Sequence, residues 1–122
     1  MKRFISSLAG GLLAAICVVS AAQDSYPSKP IKLVIPFPPG GAVDTLMRTI
    51  GPELGNQLGQ PIVVDNKPGG GAQIGAAAIT SAPADGYTVF VAEVGAFGIN
   101  PTLYPKLQYQ PVRDFDGVAM LV

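Results

Sequence analysis

The sequence predicts an α/β protein built on a parallel sheet with crossover helices. Three short runs rich in β-branched and aromatic residues alternate with two segments of helical periodicity, and turn residues separate them. A strand–helix–strand–helix–strand order makes the strands parallel, because each helix returns the chain to the edge where the previous strand began. Loops rich in glycine and proline follow the strands.

The first 22 residues have the layout of a leader that precedes the folded domain. Lys2 and Arg3 form a basic start, an apolar run extends from Leu8 to Val19, and small residues lead up to Ala22. This run is shorter than the roughly 20 apolar residues that span a bilayer. We therefore predict a signal peptide over residues 1–22, cleaved before Gln23, and a mature chain in the periplasm.

Three strands are expected, over residues 31–35, 61–65 and 87–92. The first two are nearly continuous apolar runs, which is typical of strands that are covered on both faces. A further apolar run, Gly117 to Val122, predicts the start of another strand.

Two helices are expected between these strands. The first has apolar residues at spacings of three and four and is expected to stop at Gly59; these residues are Val43, Met47, Ile50, Leu54 and Leu58. The second is a shorter, alanine-rich helix from Gln73 to Thr80.

The residue types present exclude several classes of function. The chain has no histidine, and its single cysteine, Cys17, lies in the predicted leader. A Ser-His-Asp triad, a Cys-His pair and a zinc site of the usual ligands are therefore ruled out. The sequence also lacks a phosphate-binding Gly-x-x-x-x-Gly-Lys-Ser/Thr motif and a basic patch. We expect a protein that is not an enzyme and has no metal, no cofactor and no nucleic-acid partner.

The candidate site lies in the three loops that follow the strands. In a parallel sheet these loops share one edge, where ligands of open α/β sheets bind. The first loop, Pro36 to Gly41, and the second, Asn66 to Gly71, each open a helix, and the third begins at Glu93. Helix starts carry free N–H groups and a partial positive charge, so these loops predict capture of a carboxylate or phosphate by main-chain donors.

Two other interpretations of these residues stay open. Glycine and proline are common in ordinary strand–helix turns, and Asp44 would stabilise its helix simply by lying in the first turn. Residues 70–75 read Gly-x-Ala-x-x-Gly, which departs from the dinucleotide fingerprint, so a nucleotide-binding domain is a weaker alternative.

Several motifs occur in order and at matching spacing along the chain. They are Tyr26–Ile31, Val34–Gly41 followed by Asp44, Leu58–Pro61, Val64–Gly71, Ile74–Gly75, Pro83–Thr88, Ile99–Pro101 and Leu103–Tyr104. On these residues the chain resembles the Bug family, the solute receptors of tripartite tricarboxylate transporters, from about residue 26 to its end.

The resemblance implies a partial first lobe of a type II periplasmic binding protein in residues 23–122, with the second lobe absent. In this family a ligand carboxylate is held between two lobes by backbone donors and waters of the first-lobe loops. Those loops correspond here to Phe37–Gly41 and Gly69–Ile74. Asp44 corresponds to a position that can meet a ligand amino group. Glu93 stands where the family usually offers hydroxyls, so it would repel a carboxylate or attract a positive group.

The function expected from this resemblance is that of an extracytoplasmic receptor fragment for a small organic carboxylate or an amino acid-like acid. Its other partners would be the membrane permease subunits, and we expect a monomer. The alternative is a truncated gene product that binds nothing. The expected ligand-binding residues are Phe37, Pro39, Gly40, Gly41, Asp44, Gly70, Gly71, Gln73, Ile74 and Glu93.

Overall fold

The computed structural model describes residues 25–121, so the predicted leader over residues 1–22 lies outside the described part of the chain. The described strands are β1 (Ile31–Ile35), β2 (Ile62–Asn66) and β3 (Thr88–Phe90). The described α-helices are α1 (Ala42–Leu58), α2 (Gln73–Thr80), α3 (Asn100–Leu103) and α4 (Pro111–Asp114).

The three strands form one parallel sheet in the order β2-β1-β3, as predicted. Strand β1 pairs with β2 from Ile31 to Ile35 and with β3 from Lys32 to Val34. The chain moves from β1 to one neighbour and then crosses back to the other. Two right-handed crossovers in opposite directions place their helices on opposite faces of the sheet.

The side chains of β1 separate the two faces. Ile31, Leu33 and Ile35 pack with Met47 of α1 in a core cluster that the outer strands extend. On the other face, α2 comes so close that a Cβ added at Gly75 would lie 3.0 Å from the Phe90 ring. The glycine at this position therefore permits the close approach of α2 to the sheet.

Helix α1 is only partly covered by the rest of the described chain. Met47 is buried, but Leu54 and Leu58, which belong to the same predicted apolar stripe, are each more than a third exposed. Helix α1 contacts β2 through Gly51 and Gly55, which lie between Met47 and Leu58 and have no side chains, so that Ile62 has room to pack there. The helix ends at Gly59 in the left-handed conformation, as predicted.

The strand limits differ from the sequence expectation at three places. Strand β2 starts one residue later than predicted and runs one residue further, because Lys67 N–H still donates to the Ile35 carbonyl. Strand β3 is shorter than predicted, and residues 115–121 show no regular structure where a new strand was expected. Within residues 25–121, no helix combines the length and the apolar character needed to traverse a bilayer.

Candidate functional site

The three loops that follow the strands meet at one edge of the sheet. They enclose a cavity of about 270 Å³ outside the carboxyl ends of the strands. Its lining consists of Pro36, Phe37, Pro38, Pro68, Gly69, Gly71, Ala72, Glu93, Gly95, Ala96 and Asn100. This is where ligands of open α/β sheets bind.

Three of the ten predicted site residues, Phe37, Gly71 and Glu93, line the cavity itself. The other seven lie in the same loops or in the first turns that follow them, outside the lining; they are Pro39, Gly40, Gly41, Asp44, Gly70, Gln73 and Ile74.

Asp44 holds the first loop in place through hydrogen bonds. Its side chain is only 3% exposed and accepts hydrogen bonds from Gly40 N–H at 2.9 Å, Arg48 Nε at 3.0 Å and Asn66 Nδ2 at 2.9 Å. These donors, Arg48 foremost, lower the pKa of Asp44 from 3.8 to about 2. Asp44 is therefore an anion at neutral pH whose two oxygens are both engaged by protein groups.

Asn66, the last residue of β2, belongs to the same hydrogen-bond network as Asp44. Its Nδ2 donates to the Phe37 carbonyl at 3.1 Å as well as to Asp44, and its Oδ1 accepts from Arg48 Nη2 at 3.0 Å. Phe37 is thereby held against the neighbouring strand, where it forms one wall of the cavity. Asn66 belongs to one of the sequence motifs, but the motif did not indicate this role.

The main-chain donors of the first loop are largely used inside the protein. Gly40 N–H is donated to Asp44, and Gly41 N–H points to the Pro38 carbonyl at 3.4 Å. Gly40 has φ +83°, which favours glycine. The loop is thus a fixed wall of the cavity, with few N–H groups left for a ligand.

The second loop has a different backbone. Gly69, Gly70, Gly71 and Ala72 all have positive φ, with values of 116°, 58°, 60° and 73°. The chain makes a left-handed turn before α2 begins at Gln73, and no side chain caps the start of that helix. The N–H of Gln73 is used within the turn, where it donates to the Gly70 carbonyl. The next N–H groups of the first turn have no partner within the helix, so this end can donate to an anion.

A buried polar chain, which the sequence did not predict, ties the second loop to the segment after β3. Asn100 is 7% exposed and Tyr109 is 1% exposed. Asn100 Nδ2 donates to the Gly71 carbonyl and, at 3.2 Å, to Tyr109 Oη, which in turn donates to the Ala96 carbonyl. The glycine turn is therefore held in place by Asn100, 29 positions further along the chain, and through it by Tyr109.

Tyr104 explains why residue 71 has no side chain. A Cβ at Gly71 would lie 2.7 Å from Tyr104 Oη and 3.2 Å from the ring. The turn thus requires glycine here both for its positive φ and for this contact.

The third loop begins a helical segment as well. Residues Gly95–Ile99 form a turn of π-helix that leads directly into α3. Glu93 is exposed at the mouth of the cavity, and its Oε1 lies 3.4 Å from the place where a Cβ on Gly95 would stand. Among the described residues that line the cavity, Glu93 is the one with a charged side chain.

A larger hollow of about 740 Å³ lies elsewhere, along α1 and the edge strand β2. Gly51, Gly55 and Gly59 line it, and it contains none of the residues of the loop cavity. We place the candidate site at the loops, because within residues 25–121 it is there that helix starts, glycine turns and buried polar groups converge. The described residues contain no group of three metal-ligating side chains.

The comparisons with known proteins agree with this fold. A sequence profile described as "Tripartite tricarboxylate transporter family receptor" matches residues 46–122. A Pseudomonas sp. strain P51 protein, "UPF0065 protein in tcbD-tcbE intergenic region", is 42% identical over 93% of this chain and 34% of its own length. Protein BugT of Bordetella pertussis is 34% identical over 99% of this chain and 37% of its own length.

Among solved structures, MatC of Rhodopseudomonas palustris with bound malate is similar to this chain, with a TM-score of 0.70 and 39% identity. The match covers 74% of this chain and 31% of MatC. The chain therefore spans about a third of the length of the proteins it matches. Because the family profile covers well over half of its residues, the chain belongs to the tripartite tricarboxylate transporter receptor family, which includes the Bug proteins.

Proposed function

We propose that this chain supplies the first-lobe half of a receptor site for a small organic carboxylate. The observation that carries the proposal is the convergence of three loops on one cavity at the carboxyl edge of the sheet, beside an uncapped helix start. A carboxylate there would be held by main-chain N–H groups and the helix dipole, with no cationic side chain in the described lining.

The two glycine loops take different parts in this proposal. The first loop forms a rigid wall, because Asp44 and Asn66 already use its polar groups. The second loop and the first turn of α2 provide the donors. The similarity to MatC, a protein solved with bound malate, supports a carboxylate ligand.

The cellular setting follows from the same family membership. We infer that the mature protein works in the periplasm as a monomer and delivers its ligand to the permease subunits of a tripartite transporter. N-terminal sequencing of the periplasmic fraction should find a chain that begins at Gln23. Recovery of intact Met1 in the membrane fraction would contradict the cleavage after Ala22.

Calorimetry of the full protein against a panel of small acids tests the binding proposal. The panel should include dicarboxylates, amino acids and aromatic monoacids, together with NAD and ATP for the nucleotide alternative. At least one acid should bind and the nucleotides should give no heat. A folded protein that binds none of the acids would overturn the proposal and favour a product without a ligand.

A pair of glycine variants then tests the donor role of the second loop. Gly70→Ala and Gly59→Ala both place a side chain at positive φ, with φ values of 58° and 71°. Gly59 has open space around it and lies at the far end of α1, so it is the control for backbone strain. Alanine keeps the main-chain N–H but disfavours the positive φ of residue 70, so the substitution should shift the N–H groups of the turn away from the ligand. Losing one charge-assisted hydrogen bond in this way costs roughly 1.5–3 kcal/mol. Affinity should thus fall at least about tenfold in Gly70→Ala alone; an equal change in both variants would contradict a donor role.

A further inference from the structure

The cavity contains acceptors as well as donors. A carboxylate needs donors, and we propose that the second loop, which lines the cavity, and the adjoining start of α2 supply them. Glu93, however, presents a carboxylate of its own at the mouth of the same cavity. Two like charges in one small cavity repel, and closure of a binding site around them strengthens the repulsion by removing water. A ligand carrying only carboxylates is therefore poorly matched to this lining.

Asn100 adds a second acceptor. Its orientation is fixed, because the Gly71 carbonyl can only accept and Tyr109 Oη spends its proton on the Ala96 carbonyl; both contacts therefore require Nδ2. Its Oδ1 then accepts no hydrogen bond from any residue in the described range 25–121. Since no enclosed side-chain polar atom among the described residues lacks a partner, Oδ1 is accessible to solvent, and it belongs to a residue that lines the cavity.

Asp44 is not available as an acceptor for a ligand amino group. Its carboxylate is buried, and Gly40, Arg48 and Asn66 already donate to it. An amino group placed near the cavity would meet the acceptors of Glu93 and Asn100 before it could reach Asp44.

From this pairing of donors and acceptors we infer that the ligand is a zwitterion, an acid with an α-ammonium group, and that Glu93 selects it. This inference rests on the proposed carboxylate site. The ligand carboxylate lies at the start of α2, and its ammonium group donates to Glu93 and to Asn100 Oδ1. A salt link of this kind, desolvated when the site closes, separates an amino acid from the matching plain acid by differential affinity.

The test compares acids that differ only in an amino group: aspartate with succinate, and glutamate with glutarate. In the full protein, calorimetry should show the amino acid of at least one pair binding about tenfold or more tightly than its partner. In Glu93→Gln, which keeps the shape and removes the charge, that preference should shrink by about tenfold. In Glu93→Thr the plain acid should gain affinity, because the repulsion is gone and a hydroxyl donor replaces it.

Glu53→Gln is the matched control, since it makes the same change of charge on the exposed face of α1, where Glu53 contacts Gln57. It should leave both affinities unchanged. The inference is overturned if the plain acid binds wild type as tightly as the amino acid does, or if Glu93→Gln keeps the full preference. Either result leaves the carboxylate site intact, whereas a lack of binding by every acid removes the proposed function itself.

Discussion

The first and second loops both follow a strand, contain runs of glycine and open a helix, yet they are held by different forces. The first is fixed by a buried anion, Asp44, which gathers a main-chain N–H, a guanidinium and an amide. The second is fixed from outside by Asn100, Tyr109 and Tyr104, and its turn before α2 carries no side-chain cap. Glycine content alone therefore does not show which loop has N–H groups available for a ligand, whereas the partners of those N–H groups do.

Replacing Asp44, the buried anion that holds the first loop, should give the largest effect on stability. In Asp44→Asn the carboxamide cannot satisfy Gly40, Arg48 and Asn66 together, so the melting temperature should fall by roughly 8–12 °C. Ligand affinity, measured where the variant is folded, should change little. A loss of affinity without a loss of stability would mean that Asp44 meets the ligand, as the family resemblance implied.

A change in the residues that support the second loop should lower ligand affinity as well as stability. In Tyr109→Phe the Ala96 carbonyl loses a buried donor and Asn100 an acceptor, which costs about 1 kcal/mol. The melting temperature should therefore fall by roughly 4–8 °C. Because the Gly71 turn is loosened, ligand affinity should fall several-fold as well. Unchanged affinity at reduced stability would disconnect this network from the site.

Acid should affect the first loop through Asp44. The folded-state pKa of Asp44 lies at about 2, below its ordinary value of 3.8, so Asp44 contributes stability that is complete above about pH 4 and is lost as the pH falls toward 2. Asp85 and Asp114 have lowered pKa values too, through Tyr87 N–H and Arg113 respectively, and titrate in the same direction.

The difference between wild type and Asp44→Asn isolates the contribution of Asp44. The gap in melting temperature between the two proteins should narrow between pH 4 and pH 2. A constant gap across that range would mean that the charge of Asp44 is not what holds the first loop.

Much of the fold follows from local pattern. Strand β1 and helix α2 have the predicted limits, and the parallel sheet follows from the alternation of strands and helices. The errors concern partners that lie far away in the sequence. Strand β3 is short because it pairs with only three residues of β1, and the run from residue 117 has no strand beside it among the described residues.

The site was predictable to the level of its loops but not of its contacts. Parallel strands bring their loops to one edge, so Phe37, Gly71 and Glu93 meet as expected. Nothing in local spacing shows that Asn100 would reach Gly71, 29 residues earlier, or that Asp44 would consume the N–H of Gly40. Such pairings depend on how whole elements pack, which periodicity does not encode.

The central claim is that the second loop and the first turn of α2, rather than the first loop, donate to the ligand carboxylate. Amide ¹H–¹⁵N chemical shifts followed during titration with the best-binding acid test it most directly. We expect the largest amide shifts at Gly70 to Gly75 and little change in the amide shift of Gly40. Dominant shifts at Gly40, or at Gly51 and Gly55 in the larger hollow along α1, would contradict it.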